Sequence, residues 1–399
     1  MAAVLILLVL LLTTLVLGSF GIEDLGKALT FPGRVTGAVL LVVSLSTLSG
    51  AAAVVDHWFW NSFAYSGVVA LIGAVAAFLT NAMLLVETWK NGDSLFYSVV
   101  LGVLTAGSAW AVFAVWRTSV VIPAPKRVAA ALIVSSVIAI ANFGYQNLYQ
   151  PSHRGARPLI RLTVGTPVLS QDRKAFAVPV DIRLENHNDV GFYVLGTEIH
   201  AMGEQVRLSA KDRLRRQWRA DAEQWTKFGE MNPLSRREIH QPGELVEAQP
   251  WMQYGGWIEA NDAFATRVVV QMPMDTPYDQ VAFYATASFA RKDRLGLESL
   301  KFHGYSWDGG KVPRWNQKDV DFIIYRARVH ENNAIDERTR APRYVTVYWN
   351  FGTHGAYVAP VIARMGEEDT SSESVGRYGL VDAVTGPIER TLWDVKSRR

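Results

Sequence analysis

The stretch Ile133–Pro167, IVSSVIAIANFGYQNLYQPSHRGARPLIRLTVGTP, decides the architecture, because the solvent it suits changes from lipid to water along its length. It opens apolar and uncharged, passes Tyr145, Tyr149 and Pro151, gains His153, Arg154 and Arg157, and alternates apolar with polar residues from Leu159. An uncharged run of this kind suits a helix in hydrocarbon, whereas two-residue alternation suits a strand with one buried face. The segment therefore joins a membrane half to a water-soluble half.

Upstream of it, runs at about 2–20, 35–55, 64–86, 95–116 and 127–147 each approach the roughly 20 helical residues that cross a hydrocarbon core. The first is read as a retained helix rather than a cleaved signal, since no basic side chain precedes it and four more spans follow. Trp58, Phe59, Trp60, Tyr65, Trp89 and Trp116 fall at span ends, where amphipathic rings settle among headgroups. No ionisable residue lies near a span centre, which argues against a coupled pump. The polar residues within the spans, among them Ser44, Thr47, Asn81, Ser108 and Asn142, are expected to hydrogen-bond between helices. Gly73 with Ala77, and Gly102 with Ala106, are expected to let helix backbones approach.

The short loops divide their Lys and Arg evenly. Loops one and three hold Lys27, Arg34 and Lys90, and loop four holds Arg117, Lys126 and Arg127. Loop four is the most basic and flanks the last span, so it is assigned to the cytoplasm and the carboxyl half to the outside. A cell-membrane, multipass protein with an extracytoplasmic domain is the expectation.

The 399 residues carry 49% apolar side chains and a formal net charge of +3. That charge is too small to argue for nucleic acid, and no basic tract is interleaved with aromatics. The absence of cysteine excludes disulfides and thiolate chemistry. Of the 40 basic residues 29 are Arg, which points to a GC-rich bacterial gene.

In the soluble half, KAFAVPVDIRLEN sends Phe176, Val178, Val180, Ile182 and Leu184 to one face, with Pro179 on the other marking an edge or bulge. Turn chemistry over Asn186–Gly191 predicts that FYVLGTEIHA returns as its hairpin partner. Further strands are expected at 264–272, 280–290, 320–330, 343–350 and 356–364. The fold class is thus an all-α bundle of about five transmembrane helices followed by an all-β domain. The latter is an antiparallel β-sandwich over 158–295, reached by a linker at 148–157, with a β-rich extension or second small unit at 296–399.

One amphipathic helix is predicted near 211–229, with Leu214, Trp218, Ala222 and Trp225 on one face. Lys211, Arg213, Arg215, Arg216 and Arg219 make it a candidate membrane-surface contact for anionic headgroups. Trp251, Tyr254 and Trp257, in PWMQYGGW, form a candidate aromatic contact. No HExxH, phosphate-binding Gly loop or nucleophile elbow occurs, so no catalytic, cofactor-binding or metal residue is nominated.

The leading functional expectation is a bacterial-envelope membrane protein presenting a β-rich binding or structural domain at the bilayer surface. Its partners would be lipid and envelope components. A transporter or channel with an accessory β domain, and an envelope hydrolase or transferase, are the alternatives.

Overall fold

The computed structural model describes residues 2–118, 156–207, 215–216, 219–220, 223, 239–240, 243–308, 320–353, 355–368 and 373–397. The first four apolar runs form helices α1 (Ala2–Lys27), α2 (Phe31–Val55), α3 (Ser66–Asn91) and α4 (Leu95–Arg117), and a π-helical turn over Asp56–Trp60 continues α2. All four are long and apolar enough to cross a membrane. The run predicted over 127–147 lies outside the described residues.

Local chemistry sets the helix starts. Thr30 Oγ1 accepts the Gly33 N–H beside Pro32 at the start of α2, and Ser94 Oγ accepts the Tyr97 N–H at the start of α4. Between helices, a Cβ on Gly73 would come within 2.7 Å of the Gly50 Cα, so this pair brings α2 against α3. Among the described residues a Cβ on Gly102 would meet nothing within 4 Å, and α4 approaches α1 at Gly107, against Val9. Asn81 Nδ2 donates to Thr13 Oγ1 at 2.9 Å, and Ser44 Oγ donates to the Thr14 carbonyl at 2.9 Å, tying α1 to α3 and α2. Ser108 instead returns its hydroxyl to the Leu104 carbonyl of its own helix.

The second half contains three larger antiparallel sheets. The first joins β1 (Leu159–Val164), β2 (Val168–Leu169), β3 (Ala175–Glu185) and β9 (Ala263–Pro273). The second orders β16 (Val381–Thr391), β10 (Gln280–Arg291), β4 (Phe192–Glu204) and β7 (Glu244–Gln249), with β8 (Trp257–Ile258) also on β4. The third runs from β11 (Leu295–Leu297) and β12 (Lys301–Tyr305) on β13 (Asp321–Glu331) to β14 (Arg343–Gly352) and β15 (Gly355–Ala363). A two-stranded ladder pairs β5 (Val206–Arg207) with β6 (Ile239–His240).

Alternation places Phe176, Val178, Val180, Ile182 and Leu184 of β3 in one core with Val194 and Ile199 of β4 and Phe283 and Phe289 of β10. The second sheet also packs through its other face, where Leu195 and Ala290 meet Val345, Val347, Val358 and Ile362 of the third. Strands covered on both sides have no use for a polar face, which is why FYVLGTEIHA and QVAFYATASFA read as nearly continuous apolar runs. Gly196 permits the close approach, because a Cβ there would lie 2.6 Å from Val358 Cγ1.

Two expectations need revision or refinement. β3 and β4 do not form a hairpin; they belong to different sheets. Buried Asn186 holds the crossing, its Nδ2 donating to the Val190 and Glu259 carbonyls at 2.8 and 2.7 Å. Pro179 falls where the ladder on β3 passes from β1 to β2, and the Gly165 N–H donates to its carbonyl at 2.8 Å, so its missing donor faces a gap. Beyond residue 295, β11 to β15 make the third sheet, whereas β16 returns to pair with β10 and sends Leu392 and Val395 on into the first core.

Candidate functional site

A network of paired charges lies where the bundle meets the third sheet. The chain between β13 and β14 folds into a short helix, α5 (Ala334–Thr339), which Asn333 caps by accepting the Asp336 N–H at 2.8 Å. Ala334 and Ile335 pack among Leu17, Phe20, Leu40 and Leu101 at the end of the bundle that carries loops one and three. The β half thus supplies two apolar side chains to the helical core.

Polar contacts surround this wedge. The Ala334 N–H donates to Asp24 Oδ1 at 2.6 Å, and Arg338 reaches Glu23 at 2.5 Å with its guanidinium over the Phe20 ring. On the α3–α4 side, the Asp93 and Ser94 N–H groups both donate to the Thr339 carbonyl at 2.8 Å. Asp93 Oδ2 in turn accepts from the Ala341 N–H at 3.0 Å and from Arg343 at 3.1 Å, while Arg364 pairs with Oδ1. Burial pushes the Asp93 carboxyl up, but the Ala341 N–H and the two guanidinium groups outweigh it and hold it below its usual 3.8.

A second tier stiffens α5 from behind. Arg377 reaches Asp336 at 2.7 Å, Arg340 lies 3.2 Å from Glu331, and the Tyr378 hydroxyl donates to Glu331 at 2.6 Å. Burial and the Glu331 charge push the Tyr378 hydroxyl up, so it remains a donor. Chemically, the arrangement is a clamp of paired charges around an apolar plug. Among the described residues, no group of three or more His, Asp or Glu side chains is disposed to hold a metal ion.

The residues nominated from sequence fall elsewhere. Trp251 does not belong to a surface trio: it is 5% exposed, and its indole N–H donates to the Glu198 and Thr286 carbonyls at 3.1 and 3.2 Å. The two-sided second sheet needs bulk there, and the carbonyls satisfy the ring nitrogen. Tyr254 is partly exposed, its ring 4.0 Å from that of Tyr325, and the two border a cleft of about 210 Å³ with Pro250 and Trp349. Trp257 is exposed on β8.

Of the basic cluster, Lys211 and Arg213 lie outside the described residues, as do Trp218 and Trp225. Arg215, Arg216 and Arg219 are helical and exposed. In the chain they follow β5, and among the described residues none of the contacts of the junction involves them.

Against this geometry, comparison with known proteins adds little. No known protein family matches the sequence, and no curated protein does. The X-ray structure of Northeast Structural Genomics Consortium target SoR45 is 9% identical over 34% of this chain and 74% of that one, at a TM-score of 0.18. The sporulation control protein Spo0M from Bacillus subtilis is 6% identical over 61% of this chain and 94% of that one, at a TM-score of 0.21. TM-scores of this size carry no assignment of fold or function.

The junction went unread in the sequence because its parts are far apart. Glu23-Asp24 ends the first apolar run, Asp93 sits in a three-residue loop, and ENNAIDERTRAPR separates two strands. The available signal was Asn333 followed at the third position by Asp336, a helix start in what otherwise reads as a charged loop.

Proposed function

We propose that this chain is a multipass membrane protein of the bacterial envelope whose bundle holds a β-rich binding or structural domain fixed at the bilayer surface. The observation that carries this reading is the seating of α5 in the end of the bundle, with Asp24, Glu23 and Asp93 gripping it. A loosely tethered domain has no need to bury Ala334 and Ile335 among membrane helices. Hydrogen bonding of Asn81 and Ser44 to neighbouring helices favours an anchor over a transport path.

Parity supports a reading of five spans. The β half grips loops one and three, yet α4 ends at Arg117, at the opposite end of the bundle from Asp93. One further crossing, for which the run at 127–147 has the length and composition, returns the chain to the β side. The first two sheets, sharing one core, are read as a β-sandwich to which the third sheet is added. The basic fourth loop supports an extracytoplasmic domain.

Reporter fusions after Asn91, Pro123 and Arg399 test this topology. The expected result is outside-type activity at Asn91 and Arg399 with inside-type activity at Pro123. The same sign at Pro123 and Arg399 would overturn it.

A further inference from the structure

Among the described residues, the hydrogen bonds and ion pairs that reach the bundle come from Ala334 to Arg343 and from Arg364. The junction therefore lies under the third sheet. The second sheet packs on one face of the third, with Gly196 against Val358 and His200 against Gly355, so it stands to one side of the junction and the Phe192 ends of its strands form its edge on the junction side.

Trp257 is at that edge. β8 pairs it with Tyr193, next to Phe192 at the junction end of β4, and it is 58% exposed. Lys292 Nζ lies 5.4 Å from the Trp257 ring centroid and 5.8 Å from that of Tyr193, and its charge is matched by Glu259 at 2.5 Å. The chain then turns from Lys292 to Gly296, where a Cβ would come within 3.8 Å of Leu29 in loop one. Two residues beyond Leu29, Phe31 is 79% exposed, and with Trp89 and Phe96 it forms the aromatic belt at this end of the bundle. Trp257 thus lies on the side of the second sheet that faces this end of the bundle, and among the described residues Lys292 sits at its ring.

We propose that Trp257 is a membrane-interface anchor, its ring seated in the phospholipid headgroup layer beside the bundle with Lys292 at its face. An indole ring combines apolar area with one donor, which suits this layer. The Lys292–Glu259 pair is neutral as a unit, so the anchor recognises a phospholipid surface without requiring anionic lipid. The inference rests on the reading that the bundle crosses the membrane and goes beyond it by naming a second contact with the bilayer.

The chain has no cysteine, so single labels can be placed without background. The full chain carrying Trp257→Cys, Phe31→Cys, Trp89→Cys or Val168→Cys is labelled with an environment-sensitive fluorophore and reconstituted in phosphatidylcholine vesicles. Vesicles with and without a headgroup-attached quencher are compared. Quenching at 257 comparable to that at 31 and 89, absent at 168 and unchanged by salt, is the expected result. Quenching at 31 and 89 with 257 behaving like 168 overturns the anchor and leaves the bundle reading intact. No quenching at 31 and 89 overturns both. Quenching at 257 that appears only with anionic lipid and disappears in salt overturns the ring anchor.

Discussion

Asp24 Oδ1 accepts the backbone N–H of Ala334 across 2.6 Å, joining residues 310 positions apart in the chain. Asp24 stands near the end of α1, and Ala334 opens the helix that the β half inserts into the bundle. Replacing the carboxylate leaves a buried donor without its acceptor.

Asp24→Ala is expected to destabilise the full chain by about 1–3 kcal/mol, the cost of an unsatisfied buried group. Asp24→Asn, which retains a carbonyl oxygen, should lose less. Thermal unfolding of the purified protein in detergent checks both, and equal losses would show that the oxygen acceptor is not the operative feature.

Glu23 and Arg338 form the outer grip, with side chains 21% and 36% exposed. Each single charge reversal, Glu23→Arg or Arg338→Glu, should lower stability, and the exchanged pair should recover part of the loss. A coupling of roughly 0.2–1 kcal/mol in a double-mutant cycle is expected for a partly exposed pair.

Asp93 gives the junction a pH dependence. Its carboxyl is held below 3.8 by the Ala341 N–H, Arg343 and Arg364 against the upward push of burial. The folded state therefore binds the proton less readily than the unfolded one. Its stabilisation is present above 3.8 and is lost as pH falls through the lowered value. Asp93→Asn should melt lower than the parent protein at neutral pH and show a smaller further loss on acidification, measured by melting temperature across the acid range.

Much of this architecture is legible in residues alone. α1 to α4 follow from uncharged apolar runs, and β3 follows from the alternation of Phe176 to Leu184. The pairing of β3 was not legible, because turn residues such as Asn186 and Asn188 serve a crossing between sheets as readily as a hairpin. Trp251 and Trp257 look alike in sequence, yet the first packs into the core between the first two sheets while the second is exposed on the short strand β8. The junction depends on contacts such as Asp93 with Arg343, 250 residues on, which no local pattern encodes.

The two tryptophans should therefore part company on mutation. Trp251→Ala removes a buried ring and two hydrogen bonds and should cost about 3–5 kcal/mol. Trp257→Ala, at an exposed position, should change stability by less than about 0.5 kcal/mol in detergent. Denaturant or thermal melts of the two variants check the contrast.

The most direct test of the docked arrangement is the distance between the bundle and the β half in a bilayer. Spin labels at Trp89→Cys and Lys301→Cys, both exposed positions in a cysteine-free chain, report it by pulsed electron–electron resonance. The docked arrangement predicts one narrow distance distribution in the reconstituted protein, broadened when Glu23 and Asp93 are both changed to Arg. A distribution that is broad in the unaltered protein, and indifferent to those changes, would contradict it.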